Sequence, residues 1–167
     1  MAPDAAMTFP FLRLAFAAPA LLSAAAALAQ PADDRILYGT RAGMQLTTVS
    51  KSGIGTAHAV IRVEHTPQDA KAFCVEYVRD PSPACVRETL ADVKIADRVS
   101  GDCVAKTWTD MFGGRFAFLG RAKTGSEVMA DDAIRDLETG ALLDGSPASD
   151  YDIELVIFRQ LCPGLAK

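Results

Sequence analysis

Hydrophobic and polar residues alternate along two early stretches of this chain. From Met44 to Ser50, Met44, Leu46 and Thr48 fall on one side, and Gln45, Thr47 and Val49 on the other. From Ala57 to His65, Ala59, Ile61 and Val63 face one way, and His58, Val60, Arg62 and Glu64 the other. A period of two is the pattern of a half-buried strand. Lys51-Ser52-Gly53-Ile54-Gly55 lies between them, so the pair predicts a hairpin. The preceding residues, Gln30 to Arg41, show little periodicity and read as a polar lead-in.

The period then changes. Thr66 can cap a helix, Pro67 suits its first position, and Asp69 suits its positive end. Ala70, Phe73, Cys74, Tyr77 and Val78 follow at the spacing of one helix face. Pro81 stops this helix near Arg79, and Ser82-Pro83 starts a shorter one through Cys85, Val86 and Leu90. Strand patterns return over Arg98–Thr109, around Cys103, and over Arg115–Arg121, with Phe116 and Phe118 on one face. The turn between them, Asp110 to Gly114, contains a Gly-Gly pair that tolerates positive φ. Lys123–Glu127 reads as a polar loop and Val128–Leu137 as a further strand, which Glu138-Thr139-Gly140 turns into Ala141–Asp144. Ser149 then caps a last helix, whose stripe is Ile153, Val156, Ile157, Gln160 and Leu161, ending at Cys162-Pro163-Gly164. The class predicted is α+β: an antiparallel sheet, made of an N-terminal hairpin plus a four-stranded meander, with a helical pair and a C-terminal helix.

The N-terminus is of another kind. Phe11 to Ala29 is almost wholly apolar, with Arg13 near its start and Ala27-Leu28-Ala29 at its end. This reads as a secretory signal peptide over residues 1–29, cut before Gln30, with Met7 as an alternative start that would remove Asp4 from the basic segment. A retained anchor is the competing reading, for which the run, with Pro19 and many alanines, is borderline. Residues 30–167 then form a single exported α+β domain, periplasmic or secreted, with no further transmembrane segment. Four cysteines in an exported domain read as two disulfides. Three pairings are open. The Pro-rich turn Arg79–Pro83 between Cys74 and Cys85 favours joining those two, which leaves Cys103 with Cys162.

Three segments carry a resemblance: Phe73-Cys74-x-Glu76-Tyr77, Trp108-Thr109-Asp110-x-Phe112-Gly113-Gly114-Arg115, and Leu161-Cys162-Pro163. In them the chain resembles a group of small exported proteins from alpha-proteobacteria. The resemblance covers most of the exported part and implies export and a shared fold. It transfers no catalytic residue.

Charge and chemistry narrow the function. The formal net charge is -4, and residues 1–29 hold one acid and one base, so the excess acid belongs to the exported part. That argues against nucleic acid as a partner. His58 and His65 lie an odd number of residues apart, on opposite faces of a regular strand, which disfavours a shared metal. Asp131, Asp132, Asp136 and Glu138 lack the spacing of a calcium loop and read as a solvated edge. No Gly-x-Ser-x-Gly or Cys-x-x-Cys occurs, and Gly113-Gly114 opens no helix that could cradle a phosphate. No catalytic residue, cofactor or metal ligand is therefore assigned. Trp108, Phe112 and Arg115, around one hairpin tip, are the residue types of binding hot spots and form the candidate binding site; the competing reading is that Trp108 is core and Phe112 merely closes the turn, which leaves Arg115 as the residue least explained by packing. The leading expectation is a non-enzymatic periplasmic or envelope-associated binding domain for an envelope protein, glycan or small ligand. A small hydrolase whose carboxylates converge only in three dimensions is the alternative, and a structural envelope component is the third reading. A pocket lined by acids with displaced pKa values would favour the hydrolase, and an exposed apolar patch at Trp108 and Phe112 a binding surface.

Overall fold

The computed structural model describes residues 35–123, 130–146 and 148–166. The expected signal segment, the greater part of the Lys123–Glu127 loop and the start of the Val128–Leu137 strand lie outside the described residues. The architecture is α+β, as expected. Eight strands form one sheet in the order β1 to β8, each antiparallel to its neighbour in sequence. They are β1 (Arg35–Leu37), β2 (Gln45–Ser52), β3 (Ala59–Glu64), β4 (Arg98–Asp102), β5 (Thr107–Thr109), β6 (Arg115–Arg121), β7 (Asp132–Asp136) and β8 (Leu142–Leu143). Helices α1 (Pro67–Phe73) and α2 (Pro83–Asp92) stand between β3 and β4, and α3 (Tyr151–Leu161) follows β8.

The expected hairpin and meander are thus one continuous sheet, joined where β3 pairs with β4 through Ile61 opposite Val99. The lead-in contributes β1, whose Ile36 is fully buried opposite Leu46. Arg98–Thr109 is two strands, and Cys103 lies in the turn between them instead of on a strand. Among the described residues the segment 98–144 therefore holds five strands where its alternation suggests four, because a turn of polar residues is hard to see inside a short alternating run. Helix α3 packs on β1, β3, β4 and β7, so the sheet curls around it from both ends. Gly101 on β4 permits this approach, since a Cβ there would lie 3.2 Å from Leu161 Cδ1. The core sits between the concave face and α3, where Phe158 meets Trp108 at 4.9 Å and Phe118 at 4.7 Å between ring centres.

Local chemistry sets the helix starts. Thr66 and Asp69 form a reciprocal capping box: Asp69 N–H donates to Thr66 Oγ1 and Thr66 N–H donates to Asp69 Oδ2. Beyond Phe73 the helix widens into a π-turn over Cys74–Val78 and stops at Arg79, which takes a left-handed φ of 65°. The extra residue in that turn rotates Tyr77 and Val78 out to solvent, so the expected apolar stripe is buried only as far as Cys74. Arg41 instead covers the Tyr77 ring, 4.7 Å from its centre. At α3 the cap is Asp150 and not Ser149. Asp150 is left-handed at φ 54°, and the Ser149 hydroxyl donates to the Ser146 carbonyl.

Two disulfides join Cys74 to Cys85 and Cys103 to Cys162, with Cα separations of 6.1 and 5.4 Å. The first clamps α2 to the π-turn that follows α1. The second ties the end of α3 to the β4–β5 turn. No helix among the described residues is long and apolar enough to cross a membrane.

Candidate functional site

The three residues expected at the hairpin tip do not form one surface. Trp108 is 2% exposed and points into the core, stacked 5.6 Å from Phe116. Phe112 is 57% exposed in the β5–β6 turn. Arg115, also exposed, opens β6 opposite Thr109. It alternates with the inward-facing Phe116 and so belongs to the other face of the sheet. There it borders an open groove of about 350 Å³ with Val60, Ser100, Thr107, Thr109 and Leu137; Trp108 also borders this groove, although its side chain is buried in the core. The period of two separates Arg115 from Trp108, an outcome of strand geometry that proximity in sequence hides.

What Trp108 does reach is Glu154. The indole Nε1–H donates to Glu154 Oε2 at 2.7 Å in a fully enclosed contact. Glu154 is 3% exposed in the first turn of α3. Burial pushes its carboxyl up to about 8, against the pull of the indole donor and with help from the nearby charges of Asp110 and Asp150. It therefore carries a proton at neutral pH. Asp110 is also buried and also titrates above the ordinary carboxylate range, because desolvation outweighs the amides of Gly114, Phe112 and Gly113 that hold its charged form. Its Oδ1 accepts from Phe112 N–H at 2.9 Å and Gly114 N–H at 2.7 Å. The same Asp110 thus shapes the tight turn, whose positive φ falls on Gly113.

Asp110 and Glu154 line one cavity of about 180 Å³, together with Asp136 and Asp150. Its apolar walls are Tyr38, Met111, Phe112, Phe116, Leu143 and Ile153, and Ser149 completes the lining. No lysine, arginine or histidine is among these residues. Asp136 differs from the others. The amides of Thr139 and Glu138 hold its carboxyl below the ordinary range, and the group is exposed to water. Tyr38 is 5% exposed, and its hydroxyl has no hydrogen-bond partner. On its other side the Tyr38 ring meets His65 edge-on at 5.2 Å. Neither His65 ring nitrogen has a partner, and burial lowers the pKa of this imidazole, with the Asp69 charge opposing. His65 lies against the same tyrosine that walls the cavity.

The acids at 131–138 are not all a solvated edge. Asp132 is 2% exposed; its amide donates to the Tyr151 hydroxyl at 3.3 Å, and its Oδ2 lies 3.8 Å from Arg159 Nη2. Register explains the difference: in β7, Asp132 and Ile134 alternate onto the core face. Asp131 is exposed, 3.7 Å from Arg121 Nη2. Among the described residues, no three His, Cys, Asp or Glu side chains are grouped to hold a metal ion.

Glu154 had a legible signal. Residues 154, 157, 158 and 161 share one helical face, and Ile157, Phe158 and Leu161 are fully buried. An acid on such a stripe needs a buried partner, and a core tryptophan needs an acceptor. The α3 stripe is centred on that face, with Val156 and Gln160 half-buried at its edge, where Gln160 Nε2 donates to the Arg35 carbonyl at 2.9 Å. No protein-family model matches this chain, and no curated protein or solved structure does.

Proposed function

We propose that this chain is an exported binding domain that takes a small organic molecule into the cavity between the β5–β6 turn and the start of α3. The observation that carries the reading is a partly open cavity walled by aromatic and aliphatic side chains, into which polar groups are brought from four separate parts of the fold. Tyr38 follows β1, Asp110 follows β5, Asp136 ends β7, and Asp150 and Glu154 begin α3. Ligand sites have this composition: a mostly apolar wall with few convergent polar groups. A volume of about 180 Å³ suits a ligand of modest size. Two disulfides support an oxidising compartment, such as the periplasm, as the place where the domain works.

A fragment screen by ligand-observed NMR on the oxidised protein tests this. Fragments that bind the wild type should be lost in Ser149→Phe, which fills the cavity from a half-buried position at its rim. Hits that persist in that variant, or a screen with no hits, would remove the cavity as a ligand site.

One observation favours a second reading, a carboxylate hydrolase. Glu154 is held protonated while Asp136 is held ionised, and paired acids with opposed pKa displacements suit general acid and base roles. Against it, Asp136 Oδ1 already accepts two turn amides, and Glu154 Oε2 is occupied by Trp108. Turnover of chromogenic glycosides or esters that disappears in Glu154→Gln would favour the hydrolase over binding alone.

A further inference from the structure

We propose that the cavity selects small molecules carrying a protonated amine, with the ammonium group held among Asp110, Asp150 and Glu154 and the apolar part against Phe112, Phe116 and Leu143. The inference rests on the cavity being a ligand site and deepens it by naming the charge of the ligand. Two independent features of the cavity support it. Its ionisable lining is four carboxylic acids with no basic side chain to neutralise them, so an anionic ligand would be repelled and a cation compensated. Its aromatic walls, Tyr38, Phe112 and Phe116, present π-systems that attract a cation from the apolar side.

The electrostatics add a consequence. The groups facing Glu154 are the carboxylates of Asp110 and Asp150, the indole N–H of Trp108, and, across the cavity, Asp136 and Tyr38. None of these is a cation, and Glu154 holds its proton at neutral pH. An ammonium group arriving there replaces that proton as the compensating charge. The Glu154 carboxylic acid becomes a carboxylate, the amine keeps all three of its N–H bonds, and one proton passes to the buffer.

The test compares benzylamine, which is protonated at pH 7, with benzyl alcohol, its neutral counterpart of nearly the same size. Binding is followed by the fluorescence of Trp108, the chain's one tryptophan, and by calorimetry in two buffers of different ionisation enthalpy. Benzylamine is expected to bind at least tenfold more tightly than benzyl alcohol and to release close to one proton. Asp150→Asn should weaken benzylamine several-fold and leave benzyl alcohol unchanged; asparagine tolerates the left-handed backbone at that position, φ 54°. If benzyl alcohol binds as well as benzylamine, the cavity stands as a ligand site and the amine selectivity is wrong. If neither probe binds, and the fragment screen is also empty, both readings fail together.

Discussion

Replacing Glu154 with glutamine should remove a loss of stability with rising pH that the buried carboxyl imposes on the wild type. The perturbation is small in shape: the amide keeps an acceptor for the Trp108 indole and removes the ionisation. In the folded protein Glu154 holds its proton up to about pH 8, against an ordinary value of 4.5 in an unfolded chain. Between those two values the folded state binds the extra proton, so rising pH destabilises the wild type. The contribution is fully present below pH 4.5 and lost by the time pH has passed 8. The slope is about 1.4 kcal/mol per pH unit. Over the interval it accumulates to roughly 5 kcal/mol. Urea denaturation of both proteins, with disulfides intact, gives the difference in unfolding free energy from pH 4 to 9.5. Asp110 and His65 also titrate differently on folding, but they are present in both proteins and largely cancel. Glu154→Gln should match the wild type near pH 4.5 and exceed it increasingly toward pH 8. A difference that stays flat from pH 5 to 8, or that falls, would refute the reasoning that a buried, uncompensated carboxyl sits at the start of α3.

Trp108→Phe removes the donor to Glu154 Oε2 and part of a filled core site, and should cost about 2–4 kcal/mol in denaturant unfolding. Since the indole lowers the Glu154 pKa, the same variant should extend the pH-dependent decline above pH 8. Phe158→Ala, at a fully buried position between two aromatic rings, should lose about 3–5 kcal/mol, whereas Phe112→Ala at the turn should stay within about 0.5 kcal/mol by the same assay. Removing the Cys103–Cys162 bridge by a double alanine substitution should cost about 4 kcal/mol in the chain-entropy description, and removing Cys74–Cys85 about 3, because the first closes a span of 59 residues and the second one of 11. Thermal unfolding of the two double variants should preserve that order.

Much of the scaffold could be read from residue order, and the reasons are local. The capping box at Thr66 and Asp69, the stop before Pro81 and the alternation in β2 and β3 each depend on neighbours a few residues apart, so a one-dimensional pattern contains them. The Pro-rich turn held the cue to the Cys74–Cys85 bridge for the same reason. The β4–β5 turn escaped because strands of five and three residues carry too few alternations to mark their ends. The candidate site escaped for a different reason. Trp108 and Glu154 are 46 residues apart, and they meet only because the sheet curls until α3 lies across β4 and packs against β1 and β7. Asp110 reads as a turn residue and is one, yet the same curl makes it a wall of the cavity. Arg115 shows the opposite failure: close to Trp108 in sequence, it is directed to the other face by the strand's own period.

The most direct test of the cavity as a ligand site is an ¹H–¹⁵N correlation spectrum of the oxidised protein, recorded as binding fragments are added. The indole N–H of Trp108 bonds to Glu154 at the cavity wall, and the amides of Phe112 and Gly114 bond to Asp110 on the same wall. These three resonances should move together and saturate with one dissociation constant, while amides on the outer groove beside Ser100 and Thr107 stay in place. Shifts confined to that outer groove, with the Trp108 indole unmoved at saturation, would contradict the cavity as the place where this protein binds.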